Sequence, residues 1–134
     1  AEAQELTGKL LAGEPGAPDL LHLQGDLYLA QQLAEQAVPF LERAVAADPQ
    51  ILAARASLAR ALMQVGRPAD ALPHVTAALP IDTDGSLHFQ LARAYQASGQ
   101  AEAAKEAMAK YQALRAKLKE QDRVLDEEVR ITPP

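Results

Sequence analysis

The chain has no cysteine and no tryptophan. Disulfides, thiol chemistry and thiolate-bound zinc are therefore closed to it. Aromatic residues are only 4% of the total, so the core has to be built from leucine, alanine and valine. Basic residues nowhere form a block, which disfavours a nucleic-acid partner, since phosphate backbones are held by clustered Lys and Arg. No apolar run approaches the roughly 20 residues needed to span a bilayer as a helix. The opening AEAQELTGKLL lacks the basic stretch and apolar core of a signal peptide. None of this fixes a compartment.

What the chain has is alanine: 29 of its 134 residues. Alanine is the best helix former and adds no bulk, so it favours helices that approach closely. The length suits one domain. Net charge is −5, unevenly spread. Residues 1–100 hold 6 basic and 11 acidic side chains, and residues 101–134 hold 7 of each.

The pattern repeats. Tyr28, Leu62 and Tyr95 are spaced 34 and 33 residues apart, as are Ala37, Ala71 and Ala104, and Ala44, Ala78 and Tyr111. A fixed period in that range means stacked helix pairs. Apolar spacing and breakers predict helices over 2–12, 18–32, 34–47, 52–65, 69–79, 86–97 and 101–131. Their inward residues include Leu21, Val38, Leu41, Leu58, Leu62, Leu72, Val75, Leu79, Leu91 and Tyr95. Pro18 suits a first helical position. Asp48 is expected to cap the helix from 52, and Pro80 to end or kink the one from 69. The connector Asp82-Thr83-Asp84-Gly85 reads as a turn plus helix cap, not a calcium loop, because the remaining ligands and terminal Glu of such a loop are missing. Residues 101–131 contain no Gly or Pro and read as one helix about 45 Å long, closed by Thr132-Pro133-Pro134. Pro15 lies 34 residues before Pro49, and Ala3 lies 34 before Ala37. The opening helix thus reads as the second helix of a truncated repeat, in a fragment of a longer protein.

These residues resemble the tetratricopeptide repeat family. Its motif places a bulky residue, Leu-Gly and Tyr on a first helix, then Ala, an aromatic and Ala on a second, with a closing Pro. Here it reads Leu21, Gln24-Gly25, Tyr28, Ala37, Leu41, Ala44, Pro49. It reads next Arg55, Leu58-Ala59, Leu62, Ala71, Val75, Ala78, with Thr83 in place of Pro. The third copy is His88, Leu91-Ala92, Tyr95, Ala104, Met108, Tyr111. The resemblance implies an all-α, right-handed helical solenoid of helix-turn-helix repeats with a long C-terminal helix. Its parts are 1–15 (second helix of a truncated repeat), 18–50, 52–84 and 85–117 (three repeats), and 118–134 (helix extension). Departures are Gln24 for Leu, Tyr111 for Ala, and no Trp.

No catalytic constellation is present. His22, His74 and His88 lack a His or carboxylate at i+4 in a HExxH-like pattern and read as ordinary half-buried or surface imidazoles. Ser57, Ser86 and Ser98 sit in no nucleophile elbow. No glycine-rich phosphate loop appears, and no cofactor, metal or enzymatic activity is expected. The resemblance implies instead that the first helices line a concave groove for a peptide or partner domain. The corresponding residues are Asp19, His22, Asp26, Leu29, Ala53, Ala56, Arg60, Met63, Gln64, Phe89, Arg93 and Gln96. The family's Lys/Asn carboxylate clamp is not reproduced: His22, Asp26, Ala56 and Arg60 stand at those positions. Arg60 and Arg93 are equivalent, one repeat apart. The expected function is a protein-interaction scaffold. The alternatives are an oligomerisation module acting through the long last helix, which would make a homo-oligomer, or an accessory domain of a larger enzyme.

Overall fold

The computed structural model describes residues 2–131, and the expected ending at Thr132-Pro133-Pro134 lies outside them. In chain order the helices are α1 (Glu2–Gly13), α2 (Pro18–Ala30), α3 (Ala34–Ala47), α4 (Leu52–Gln64), α5 (Pro68–Ala78), α6 (Ser86–Ala97) and α7 (Ala101–Ile131). A 3-10 turn, Leu79–Ile81, follows α5. It carries Pro80, whose ring and missing N–H stop an α-helix. The described residues form no strand. Helices pair as α2 with α3, α4 with α5 and α6 with α7. Each pair stacks on the next through α3 against α4 and α5 against α6, and α2 also touches α4, as α4 touches α6. This is a right-handed solenoid with the first helices of successive pairs side by side.

The period of the sequence is a period of hydrogen bonds. The carbonyls of Tyr28, Leu62 and Tyr95 accept from the N–H groups of Leu33, Arg67 and Gln100 at 2.9, 2.8 and 2.8 Å. Each bond closes a helix end by the same reversal, which needs one left-handed residue. Gly66 and Gly99 supply it with φ of 80° and 81°. In the first pair the residue is Gln32, with φ of 65°. That is why α2 stops at Ala30 and does not run to Gln32.

The core is where the helices cross. Leu21, Leu41, Leu58 and Val75 are the largest fully buried side chains, and Ala37, Ala44, Ala54, Ala59, Ala61, Ala71 and Ala78 are all 0% exposed. Burying a leucine stabilises by about 1.5–3 kcal/mol; the alanines contribute mainly by letting backbones meet. Leu72 and Leu79 are half-buried, so the inward stripe of α5 is Ala71, Val75 and Ala78. On α1, Thr7 and Leu11 turn inward while Leu6 and Leu10 stay exposed, because α1 packs on one neighbour, α2. Asp48 caps no helix start. It terminates α3, and its Oδ1 accepts from the Gln50 N–H at 3.0 Å, while Ile51 precedes α4.

The third pair replaces a small residue by Tyr111 and makes room with Gly85. A Cβ on Gly85 would stand 3.1 Å from Tyr111 Cδ1, and the residue's φ of 87° also favours glycine. Tyr111 packs its ring on Phe89, centroids 5.2 Å apart.

Candidate functional site

Side by side, α4 and α6 leave a hollow of about 670 Å³ between them. One wall is α4, with Ala56, Ser57, Arg60, Met63 and Gln64. The other is α6, with Ser86, Leu87, Phe89, Gln90 and Arg93, and the end is closed by residues 81–84. Arg60 and Arg93 are both exposed, Phe89 is 39% exposed and Met63 is half-buried. Two guanidinium groups and two apolar side chains therefore face one space.

The connector that closes the hollow is held by a buried carboxylate. The Asp82 side chain is 1% exposed. Its Oδ1 accepts from the Gly85 N–H at 3.0 Å. Its Oδ2 accepts from the His88 N–H at 3.0 Å and lies 2.5 Å from His88 Nδ1. Asp82 thus satisfies N–H groups that the first turn of α6 leaves open. Asp84 Oδ1 accepts from the Ser86 N–H at 2.9 Å. That backbone bond is the main reason its pKa lies below the ordinary carboxylate value. The turn-and-cap reading of Asp82–Gly85 describes this geometry, with Asp82 reaching six residues forward.

Beside the hollow, α2 carries a pair the sequence reading missed. His22 Nε2 lies 3.0 Å from Asp26 Oδ2, four residues on, and 3.3 Å from Ser57 Oγ on α4. The hydrogen bond to Asp26 raises the His22 pKa above its ordinary 6.5; burial opposes this, and the charges of Asp26 and Asp19 add to the rise. For Asp26, burial alone would raise the pKa. The bond to His22, the nearby Ser57 hydroxyl and the charges of His22 and Arg60 outweigh it and hold the pKa below 3.8. The i, i+4 spacing is visible in the sequence, and the reading of His22 as an imidazole without a carboxylate at i+4 is corrected: Asp26 is that carboxylate.

Of the expected groove residues, Arg60, Met63, Gln64, Phe89, Arg93 and Ala56 meet at the hollow. His22 and Asp26 join its edge through Ser57 and the charge of Arg60. Asp19, Ala53 and Gln96 are exposed outside it. Leu29 is corrected: it is 6% exposed and belongs to the core with Leu11, Leu21 and Leu41. An aliphatic chain at the position where later repeats carry Met63 and Gln96 has nothing to draw it to water. Asp82, Thr83 and Asp84 of the connector stand in the wall, and so does Ile81, to which the sequence assigns no role. His74 sits apart on α5. Burial, then the charge of Arg55, lowers its pKa below 6.5 against the pull of Glu42 and Asp70. Among the described residues no group of three or more His, Asp or Glu is arranged to hold a metal ion, and no helix is long and apolar enough to cross a membrane.

Two models of the tetratricopeptide repeat match the chain, one over residues 28–88 and one over 85–118. No curated protein matches it by sequence. Among solved structures it is similar to a MamA mutant, at 28% identity and a TM-score of 0.75 over 83% of this chain. It spans 65% of that protein's length. MamA MSR-1 is similar at 27% identity and a TM-score of 0.74, over 85% of this chain and 66% of the other. A MamA from Desulfovibrio magneticus RS-1 shares the fold at 23% identity and a TM-score of 0.78, over 84% of this chain and 64% of the other.

Proposed function

Since this chain belongs to the tetratricopeptide repeat family, whose members are non-catalytic protein-interaction modules, we propose that it is a scaffold whose hollow between α4 and α6 takes an extended segment of a partner protein bearing acidic side chains. The repeats that present it are 18–50, 52–84 and 85–117, with 1–15 as half a repeat and 118–134 as an extension. The observation that carries this reading is the placement of Arg60 and Arg93 on one space with Met63 and Phe89. Neighbouring helices pack roughly 8–10 Å apart. Guanidinium groups at that interval can each grip a carboxylate by two parallel hydrogen bonds, a few residues apart on an extended chain. Met63 and Phe89 supply the apolar contact, because exposed charge pairs alone contribute only about 0–1 kcal/mol.

The acids nearby set the limits of the favourable region. The Asp82 carboxylate is buried and engaged in its cap, so it offers the ligand almost no exposed oxygen. Asp26 opposes an acidic ligand at the α2 end, and its pairing with His22 softens that repulsion. Acidic side chains are therefore accepted along α4 and α6 and rejected toward Asp19 and Asp26 at one end and toward the exposed Asp84 at the other. The test is fluorescence anisotropy with a labelled extended peptide alternating Glu and Leu, beside its Lys-and-Leu counterpart. The Glu peptide is expected to bind more tightly, more weakly at high salt, and at least tenfold more weakly to the Arg60→Ala, Arg93→Ala double variant. Equal affinity of wild type and double variant for the Glu peptide would sink the assignment.

A further inference from the structure

The second half of α7 outruns the rest of the chain. Arg115 Nη1 still reaches the Asp84 carbonyl at 3.4 Å. From Ala116 to Arg130 every residue is exposed except the half-buried Leu118. Yet this overhang is not uniformly polar. Leu114, Leu118, Leu125 and Val129 are spaced four, seven and four residues apart, and eleven residues complete three helical turns. The four therefore share one stripe. It prolongs the face on which Ala107 is buried and Tyr111 meets α6. Past the start of α6 the stripe is uncovered, with Leu125 58% and Val129 76% exposed. The ion pairs of Arg123 with Glu120 and Glu127 lie on the opposite side of the helix.

We propose that a second copy of this chain covers the stripe, its α7 running antiparallel, with Leu118 against Leu125 of the other copy. Three features select this occupant. The first is symmetry of spacing. About the point between Gln121 and Asp122, Leu118 mirrors Leu125 and Leu114 mirrors Val129, so the reversed helix presents the same pattern. The second is charge. Residues 110–119 carry Lys110, Arg115, Lys117 and Lys119 and no acid, while residues 120–130 carry five acids and two Arg. Antiparallel pairing sets the basic half of one helix along the acidic half of the other. Parallel pairing sets like against like, which disfavours it. The third is continuity: the added helix runs antiparallel to α7, as α6 does, and takes up the line of α6 beyond its start at Ser86. The seam is short, so the association is weak and concentration-dependent.

Sedimentation of the 134-residue chain across the micromolar range tests the pairing. The mass should rise toward that of two chains with concentration. Leu125→Asp should return it to one chain with unchanged helicity and melting temperature, because Leu125 is 58% exposed and lies outside the core cluster. The chain has no cysteine of its own, so orientation can be read by cross-linking. A mixture of Leu118→Cys and Leu125→Cys chains should form the mixed disulfide, and neither should link to itself. A monomer at every concentration, a dimer indifferent to Leu125→Asp, or self-linking of Leu118→Cys alone each overturns the proposal. It is independent of the groove, and Leu125→Asp should bind the Glu peptide as wild type does.

Discussion

Gly25 on α2 faces Leu41 on α3 so closely that a methyl group on Gly25 would stand 3.2 Å from Leu41 Cδ1, and nearer still to Cγ and Cδ2. Leu41 is 0% exposed. It has no free volume to retreat into. The first helix pair is set at its spacing by the absence of one carbon atom.

Gly25→Ala should therefore destabilise the chain by about 1–3 kcal/mol, the usual cost of overpacking. Helix propensity alone would give about 1 kcal/mol in the other direction. The two effects separate in a double-mutant cycle with Leu41→Ala, read by urea denaturation. In the Leu41→Ala background the steric cost disappears and Gly25→Ala should become neutral or stabilising. An equal penalty in both backgrounds would show that Leu41 is not the obstacle.

Gln32 stands at the left-handed position that Gly66 and Gly99 fill in the other two turns. A side chain there pays for its Cβ by roughly 1–2 kcal/mol, partly offset by glycine's greater freedom in the unfolded chain. Gln32→Gly should raise stability by about 0.5–1 kcal/mol in denaturant unfolding. Lower stability would mean that the side chain makes a contact worth more than the strain.

His22 and His74 should titrate on opposite sides of 6.5. For His22 the folded pKa is raised. Its stabilisation is full below 6.5 and is lost as pH rises through the folded midpoint. For its partner Asp26 the folded pKa is depressed, so that part is present above 3.8 and lost as pH falls through the folded value. The pair is strongest between those limits. His74 has a lowered pKa, and its contribution is present above 6.5 and lost as pH falls toward the folded midpoint. NMR titration of the two imidazoles measures both midpoints. Asp26→Asn should bring that of His22 down and leave that of His74 in place.

The stacking of helix pairs was legible because small residues must recur where backbones meet; Ala37 and Ala71 are indeed fully buried. The turns were legible where glycine marked them and not at Gln32, where a poor residue is held by its surroundings. Counting along the period puts Arg60 and Arg93 at equivalent places, and both line the hollow. Asp82 in its wall could not be placed by counting, since its reach to His88 depends on how the connector folds back. Leu29 misled for the opposite reason: position in the repeat said groove, and side-chain chemistry decided for the core.

The fully buried alanines at the helix crossings bear on how the chain responds to heat. Alanine has no rotamers to freeze, so these contacts form without side-chain entropy loss. They also expose little apolar surface when they come apart. Apolar exposure is what makes the heat capacity of unfolding large. A solenoid joined by methyl groups has a low value of that quantity for its length, and a stability curve correspondingly flat with temperature.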